Sequence, residues 1–249
     1  MVAVVACAAV PTAADPTGRG CPAPTRRVEQ DTVVLLHGLG RSPRSLKRIE
    51  RELFKHGYRV VNVAYPTGRE SIEGLSARLG AVLARQAIGR TGRVHFVTHS
   101  MGGIVLRYYL HGHRIDQMGR VVMLSPPNAG SELVDLLKGI PWVGDHAGPS
   151  REQLGTDASS LPSRLGPVGF ELGVIAGNRS WNPLFSWVLP GEDDGMVSVE
   201  RAKVGGMSDF LVVSRTHTFL MNDREVIRQT LAFLRDGRFD HSADEKAAP

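Results

Sequence analysis

Residues Val94-His-Phe-Val-Thr-His-Ser-Met-Gly-Gly103 carry a short apolar stretch straight into a serine set among small residues. Such a run reads as a strand that turns sharply at Ser100 into a helix. The turn is tight enough that side chains beside the serine collide with the backbone, which is why the pattern G-x-S-x-G surrounds it with glycine. Gly102 fits that pattern, and Gly103 lets the following helix pack closely. Thr98 departs from it, standing where glycine is expected. Threonine is short, so the turn is expected to be strained and still to form. A serine lifted clear of a sheet in this way is a candidate nucleophile.

The rest of the chain alternates in the same manner. Thr32-Val-Val-Leu-Leu36 reads as a buried strand ending in His37-Gly-Leu-Gly40. Leu46, Ile49 and Leu53 follow at helical spacing, and Gly57 closes that helix. Residues 59–64 give a second strand, broken by Pro66. Ile72, Leu75, Leu79, Val82 and Leu83 then mark a second amphipathic helix. After the Ser100 strand and its helix come strands at 120–124, 172–176 and 210–213. A last helix starts near Asn222 or Asp223, carries Val226, Ile227, Leu231 and Leu234, and stops at Gly237. Strands alternating with helices imply an α/β fold with a mostly parallel central sheet and helices on both faces. The domain is expected over 31–237. Residues 139–171, rich in Gly and Pro, break the rhythm, and such an insertion is either a cap or lid or an ordered packed loop. Residues 238–249 read as a flexible polar tail.

With 249 residues and 42% hydrophobic content, the chain can bury a substantial core. The formal charge of +5 is scattered, apart from Arg41, Arg44, Lys47, Arg48 and Arg51, which read as a solvated helix face. No basic run or recognition motif calls for nucleic acid. Residues 1–30 form a leader or flexible N-terminal segment. Val2 to Val10 is apolar, with small residues suited to cleavage near Ala8 or Ala14, and Val4-Val5-Ala6-Cys7 looks like a lipoprotein cleavage box. Export, as a secreted, periplasmic or lipid-anchored protein, and a plain extension on a cytoplasmic protein both stand open. The two cysteines, Cys7 and Cys21, precede the domain and give no disulfide framework or metal spacing.

A serine hydroxyl needs an imidazole to take its proton, and the imidazole needs an acid to fix its tautomer. Ser100 is followed by Glu192-Asp-Asp-Gly-Met-Val197 and then by Arg215-Thr-His-Thr-Phe-Leu220. Both lie beyond strand C-termini, where open α/β sheets place their sites. His217 is the expected base. His99 adjoins Ser100 but is expected to point away from it, His95 lies within the strand, and His241 falls in the tail. Asp194 is the expected acid by its place before Gly195, with Asp193, Glu192, Asp209 and Asp223 as alternatives.

Taken together, Thr98-His-Ser-Met-Gly-Gly103, His37-Gly-Leu-Gly40, Pro126-Pro-Asn-Ala-Gly-Ser131, Asp194-Gly-Met-Val197 and His217 resemble bacterial lipases and esterases of the α/β-hydrolase fold. The likeness covers roughly 31–235 and is strongest to a lipase branch that also resembles PGAP1-like lipid hydrolases. It implies a serine hydrolase cleaving carboxylic esters through an acyl-enzyme, with Ser100, Asp194 and His217 as its triad. Acyltransferase or thioesterase chemistry on the same triad, and a non-catalytic binding protein, are the alternatives. The oxyanion donors are the backbone N–H of Met101, after the nucleophile, and by resemblance that of Leu39. The expected partner is a small-molecule acyl ester or lipid, with contact to a membrane or lipid interface left open. No cofactor or metal is expected, since no nucleotide-binding glycine pattern or metal motif occurs. Trp181, Leu184, Phe185, Trp187, Val188 and Leu189, just before the acid loop, line an acyl pocket or pack in the core.

Overall fold

Six parallel strands run in the order β2-β1-β3-β4-β5-β6 in the computed structural model, which describes residues 30–138 and 148–242. They are β1 Thr32–Leu36, β2 Arg59–Asn62, β3 Val94–His99, β4 Met118–Leu124, β5 Leu172–Gly177 and β6 Asp209–Val213. β1, β3 and β5 are buried along their whole length because helices cover both faces. On one face, Val33 and Leu35 pack with Leu46, with Ile49 and Leu53 of α1 (Lys47–Lys55), and with the last helix. On the other, Val34 and Leu36 meet α2 (Ile72–Arg85) and α3 (Met101–Gly112). Each fully buried Leu or Val in these layers contributes about 1.5–3 kcal/mol.

The short helices α4 (Glu132–Leu137), α5 (Pro149–Glu152), α6 (Leu161–Arg164), α7 (Pro183–Val188) and α8 (Val199–Ala202) sit in the connections beyond β4 and β5. The closing helix α9 is Arg224–Asp236, capped by Asp223, whose carboxylate accepts the N–H groups of Glu225 and Val226. A cap of this kind is worth about 1 kcal/mol. Register shifts where β3 meets β4 between Val94 and Phe96. There the buried His95 accepts the N–H of Arg120 at 2.9 Å, so this histidine is part of the sheet's own bonding.

Chain direction reverses around β1. The path goes outward to β2, then crosses back by α2 to β3 and onward to β6. The connections leaving β1 and β3 therefore diverge, and the crevice between their C-terminal ends is the switch point where such sheets bind ligands. His37-Gly38-Leu39-Gly40 and Ser100 stand at its two sides.

The segment beyond the last helix differs from the expectation of a free tail at its start. Phe239 is 3% exposed and packs on Phe233, its N–H donates to Asp209, and Asp240 pairs with Arg228. An aromatic ring with a place in the core outweighs the polarity of its neighbours. Within 148–171, Leu154 and Leu161 belong to the core and Ser150 is buried. Residues 139–147 lie outside the described residues, as do residues 1–29, on which the leader reading, Cys7, Cys21 and the expected cleavage near Ala8 or Ala14 fall. Among the described residues, no helix is long and apolar enough to cross a membrane.

Candidate active site

Ser100 joins β3 to α3 with φ 53° and ψ −128°, a conformation that costs about 1–3 kcal/mol in a residue with a side chain. Its N–H is fixed by the Leu124 carbonyl of the neighbouring strand at 2.9 Å. Two glycines make the turn possible. A Cβ on Gly102 would stand 2.5 Å from the Leu36 carbonyl oxygen, and one on Gly38 would stand 2.9 Å from the Ser100 Cβ. Thr98 fits because the next helix yields to it: its Oγ1 lies 3.3 Å from where a Cβ on Gly103 would be. The hydroxyl is buried without a hydrogen-bond partner, so the larger residue is tolerated rather than used.

Two loops from distant parts of the chain meet each other, and one of them reaches His99, the residue before Ser100. His217 Nδ1 lies 2.7 Å from Asp194 Oδ2, and both side chains are buried. The other oxygen, Oδ1, accepts the N–H of Met196 at 3.0 Å and of Val197 at 2.9 Å. The acid loop and the histidine loop also join through their backbones, His217 N–H to the Asp194 carbonyl at 2.9 Å. The carboxylate oxygen facing Nδ1 accepts its proton, which leaves a lone pair on Nε2.

The other acidic candidates have different work. Asp193 Oδ1 accepts the Gly195 N–H at 2.7 Å and the Ser186 hydroxyl, closing the acid loop. Glu192 is exposed beside Asn178, Asp209 holds Phe239 and His241, and Asp223 caps α9 and pairs with Arg215. His99 meets the histidine loop instead of standing alone. Its ring lies 4.8 Å from that of His217, with Nε2 3.1 Å from the His217 carbonyl.

Both expected oxyanion donors stand at the crevice. Met101 is the first residue of α3, so its N–H has no carbonyl one helical turn earlier to bond and sits at the positive end of a 12-residue helix. Leu39 occupies the second position of a turn closed by Arg41 N–H to the Gly38 carbonyl at 3.2 Å, a bond that leaves its own N–H unused. The loop is held by residues that sequence reading passed over. Tyr65 stacks on His37 at 4.3 Å and donates its hydroxyl to the His37 carbonyl at 2.5 Å. Thr67 Oγ1 accepts the Gly40 N–H at 3.1 Å. Burial lowers the pKa of His37, which donates through Nδ1 to the Gly38 carbonyl. The only sequence hint of this anchor is Pro66, which stands between the two residues in the loop after β2.

Around the site lies an apolar rim. Trp181 is 81% exposed, Leu184 75%, Trp187 90% and Phe219 56%. Of the six residues read as pocket or core, only Leu189 is buried. Trp181 faces Phe219 with ring centroids 6.4 Å apart, and Phe219 and Met196 follow His217 and Asp194 by two residues each. A cleft of about 850 Å³ between Tyr58 and α9 opens at the other ends of the strands and contains none of these groups. Among the described residues, no cluster of three His, Cys, Asp or Glu is placed to hold a metal ion.

A parallel sheet with a serine at a strained strand-to-helix turn and an acid–histidine pair beyond later strands defines an α/β protein of the nucleophile-elbow class. The chain belongs to the alpha/beta hydrolase family, whose pattern matches residues 33–242. No curated protein matches the sequence. Among solved structures it is similar to the lipase BlEst2 of Bacillus licheniformis in its mature form, with TM-score 0.63, 20% identity, and coverage of 88% of this chain and 93% of that one. It is also similar to phospholipase PlaB of Legionella pneumophila in complex with thio-NAD, with TM-score 0.58, 16% identity, and coverage of 70% and 44%. A metagenomic carboxyl esterase, MGS0156, gives TM-score 0.54 and 18% identity over 82% of this chain and 69% of that one. At these identities the likeness is one of fold.

Proposed function

We propose that this chain is a serine hydrolase that cleaves carboxylic esters through an acyl-enzyme. Ser100 is the nucleophile, His217 the base and Asp194 the acid that orients it. Ser100 Oγ attacks the ester carbonyl while His217 Nε2 takes the hydroxyl proton. The resulting oxyanion is received by the N–H groups of Leu39 and Met101, each such donor contributing about 3 kcal/mol to the transition state. The imidazolium returns its proton to the leaving alkoxide, and the alcohol departs. Water, deprotonated by the same histidine, then hydrolyses the acyl-serine.

The observation that carries this reading is the buried His217–Asp194 pair at 2.7 Å, whose histidine is tied through its carbonyl to His99, the residue before Ser100. A fold needing only a tight turn at Ser100 has no use for that pair. The apolar rim favours an ester with an acyl chain, as in lipids, over a small polar one. A panel of p-nitrophenyl esters from acetate to palmitate, run beside labelling with a fluorophosphonate, tests the proposal. Turnover together with labelling at Ser100 supports it. Labelling with acyl transfer to an added alcohol or thiol outpacing hydrolysis moves the assignment to a transferase, and absence of both moves it to a binding protein.

A further inference from the structure

His99 is the buried imidazole that the acyl-transfer reading leaves without a task. It ends β3, immediately before Ser100, and is 1% exposed. The atom facing its Nε2 is the His217 carbonyl oxygen at 3.1 Å, which can only accept, so Nε2 carries the proton. A second proton, on Nδ1, would be buried without an acceptor, because that nitrogen has no partner. Burial, then the nearby charge of His217, hold its pKa well below the ordinary imidazole value. The ring is therefore a neutral, one-way donor. Its Nδ1 edge rests on the oxyanion loop, 3.0 Å from where a Cβ on Gly38 would lie.

His217 is tied at three points. Its ring bonds the Asp194 carboxylate, its N–H bonds the Asp194 carbonyl, and its carbonyl bonds His99. The first two fix the base to the acid. The third reaches the strand that carries the serine. We propose that His99 is a positioning residue, which sets the separation of Ser100 from His217 by bonding the His217 carbonyl from the adjacent position in the chain and seats Gly38 of the oxyanion loop against its other edge. The roles of Ser100 and His217 are those of the ester-hydrolase reading. A displacement of about 1 Å between reacting groups costs about 10²-fold in rate, so one hydrogen bond at this place has leverage on turnover.

The amide nitrogen of glutamine falls near the position of Nε2, that of asparagine near Nδ1, and phenylalanine fills the space with no donor. The test compares His99→Gln, His99→Asn and His99→Phe by the rate of Ser100 labelling with a fluorophosphonate, by kcat and KM on a p-nitrophenyl ester, and by thermal unfolding. Gln is expected to stay within about threefold of wild type, and Asn and Phe to lose about 10- to 100-fold in labelling rate and kcat with KM held. Equal losses for Gln and Asn, or a wild-type rate for Phe, overturn the proposal. Should Phe fail to fold, the Gln–Asn pair decides alone. Labelling needs Ser100 and His217 but no ester. A wild-type chain that labels yet turns over no ester thus sinks the ester assignment while the ranking of Gln over Asn still judges His99; a chain that does not label sinks both.

Discussion

At the floor of the site, His37, His99, Asp194 and His217 are each at most 7% exposed, and each bonds another part of the floor. At the rim, Trp181 and Trp187 are 81% and 90% exposed, and Trp181 meets Phe219 only across 6.4 Å. The floor holds groups whose relative positions the fold has already fixed, so substrate binding has little left to order there. The rim holds large apolar side chains that the fold does not need for its own stability. Chemistry and substrate choice are thus expected to separate, with floor substitutions read in kcat and rim substitutions in KM.

The comparison breaks most directly at Ser100. Ser100→Ala is expected to lower hydrolysis by about three orders of magnitude or more. The thermal transition should stay nearly unchanged, because the lost hydroxyl has no structural partner to abandon. His217→Ala should fall equally far, since without a base the hydroxyl keeps its proton. More than a tenth of wild-type activity in His217→Ala would falsify its role and turn attention to His99.

Next in size is the contrast between two adjacent carboxylates. Asp194→Asn replaces an oxygen facing His217 Nδ1–H by a group that can donate, which favours the wrong tautomer and is expected to cost about 10³- to 10⁴-fold in kcat. Asp193→Asn keeps an acceptor for the Gly195 N–H and Ser186 hydroxyl and should cost less than about tenfold, much of it as stability. Similar kcat losses in the two variants would mean that the acid is shared or misassigned.

What the amino-acid sequence discloses follows the range of the contacts. The strand into Ser100, the helix after it and the apolar faces are local patterns, and the six strands with α1, α2, α3 and α9 lie close to where periodicity puts them, whereas the short helices α4 to α8 carry too few residues to show a period. Asp194 and His217 are legible through their order and their place after strands. Tyr65, Thr67 and His99 were not, because their partners lie 28, 27 and 118 residues away, and nothing local separates a buried donor from a core side chain. The rim was ambiguous for a related reason: Trp and Leu at helical spacing look the same whether the neighbouring layer covers them or leaves them open.

Tyr65 sharpens the boundary between floor and rim, since it touches neither the serine nor the histidine pair. Tyr65→Phe keeps the stack on His37 and removes the hydroxyl that bonds the His37 carbonyl. A hydrogen bond of about 1–1.5 kcal/mol holding the oxyanion loop translates to roughly tenfold in kcat with KM unchanged. A change confined to KM would place Tyr65 with substrate binding and erase the separation.

The smallest effect is expected at the rim, where the direction matters more than the size. Trp181 and Trp187 are mostly bare, so removing either deletes little buried area, and unfolding free energy should move by no more than about 0.5 kcal/mol. A long acyl chain lying across them would cover a part of each ring, worth about 1 kcal/mol, so KM for palmitate or decanoate esters should rise about three- to fivefold per substitution. Acetate is too short to reach from the serine to that surface, and its KM and kcat should not move. The kcat for every chain length should also hold, because neither tryptophan shares a hydrogen bond with the floor, and Trp181 faces Phe219. The informative comparison is therefore the ratio of kcat/KM for a long ester to that for acetate, measured in wild type, Trp181→Ala and Trp187→Ala below the solubility limit. A ratio unchanged in both variants would remove the rim from substrate choice, and a parallel fall for acetate would show that the rim supports the floor after all.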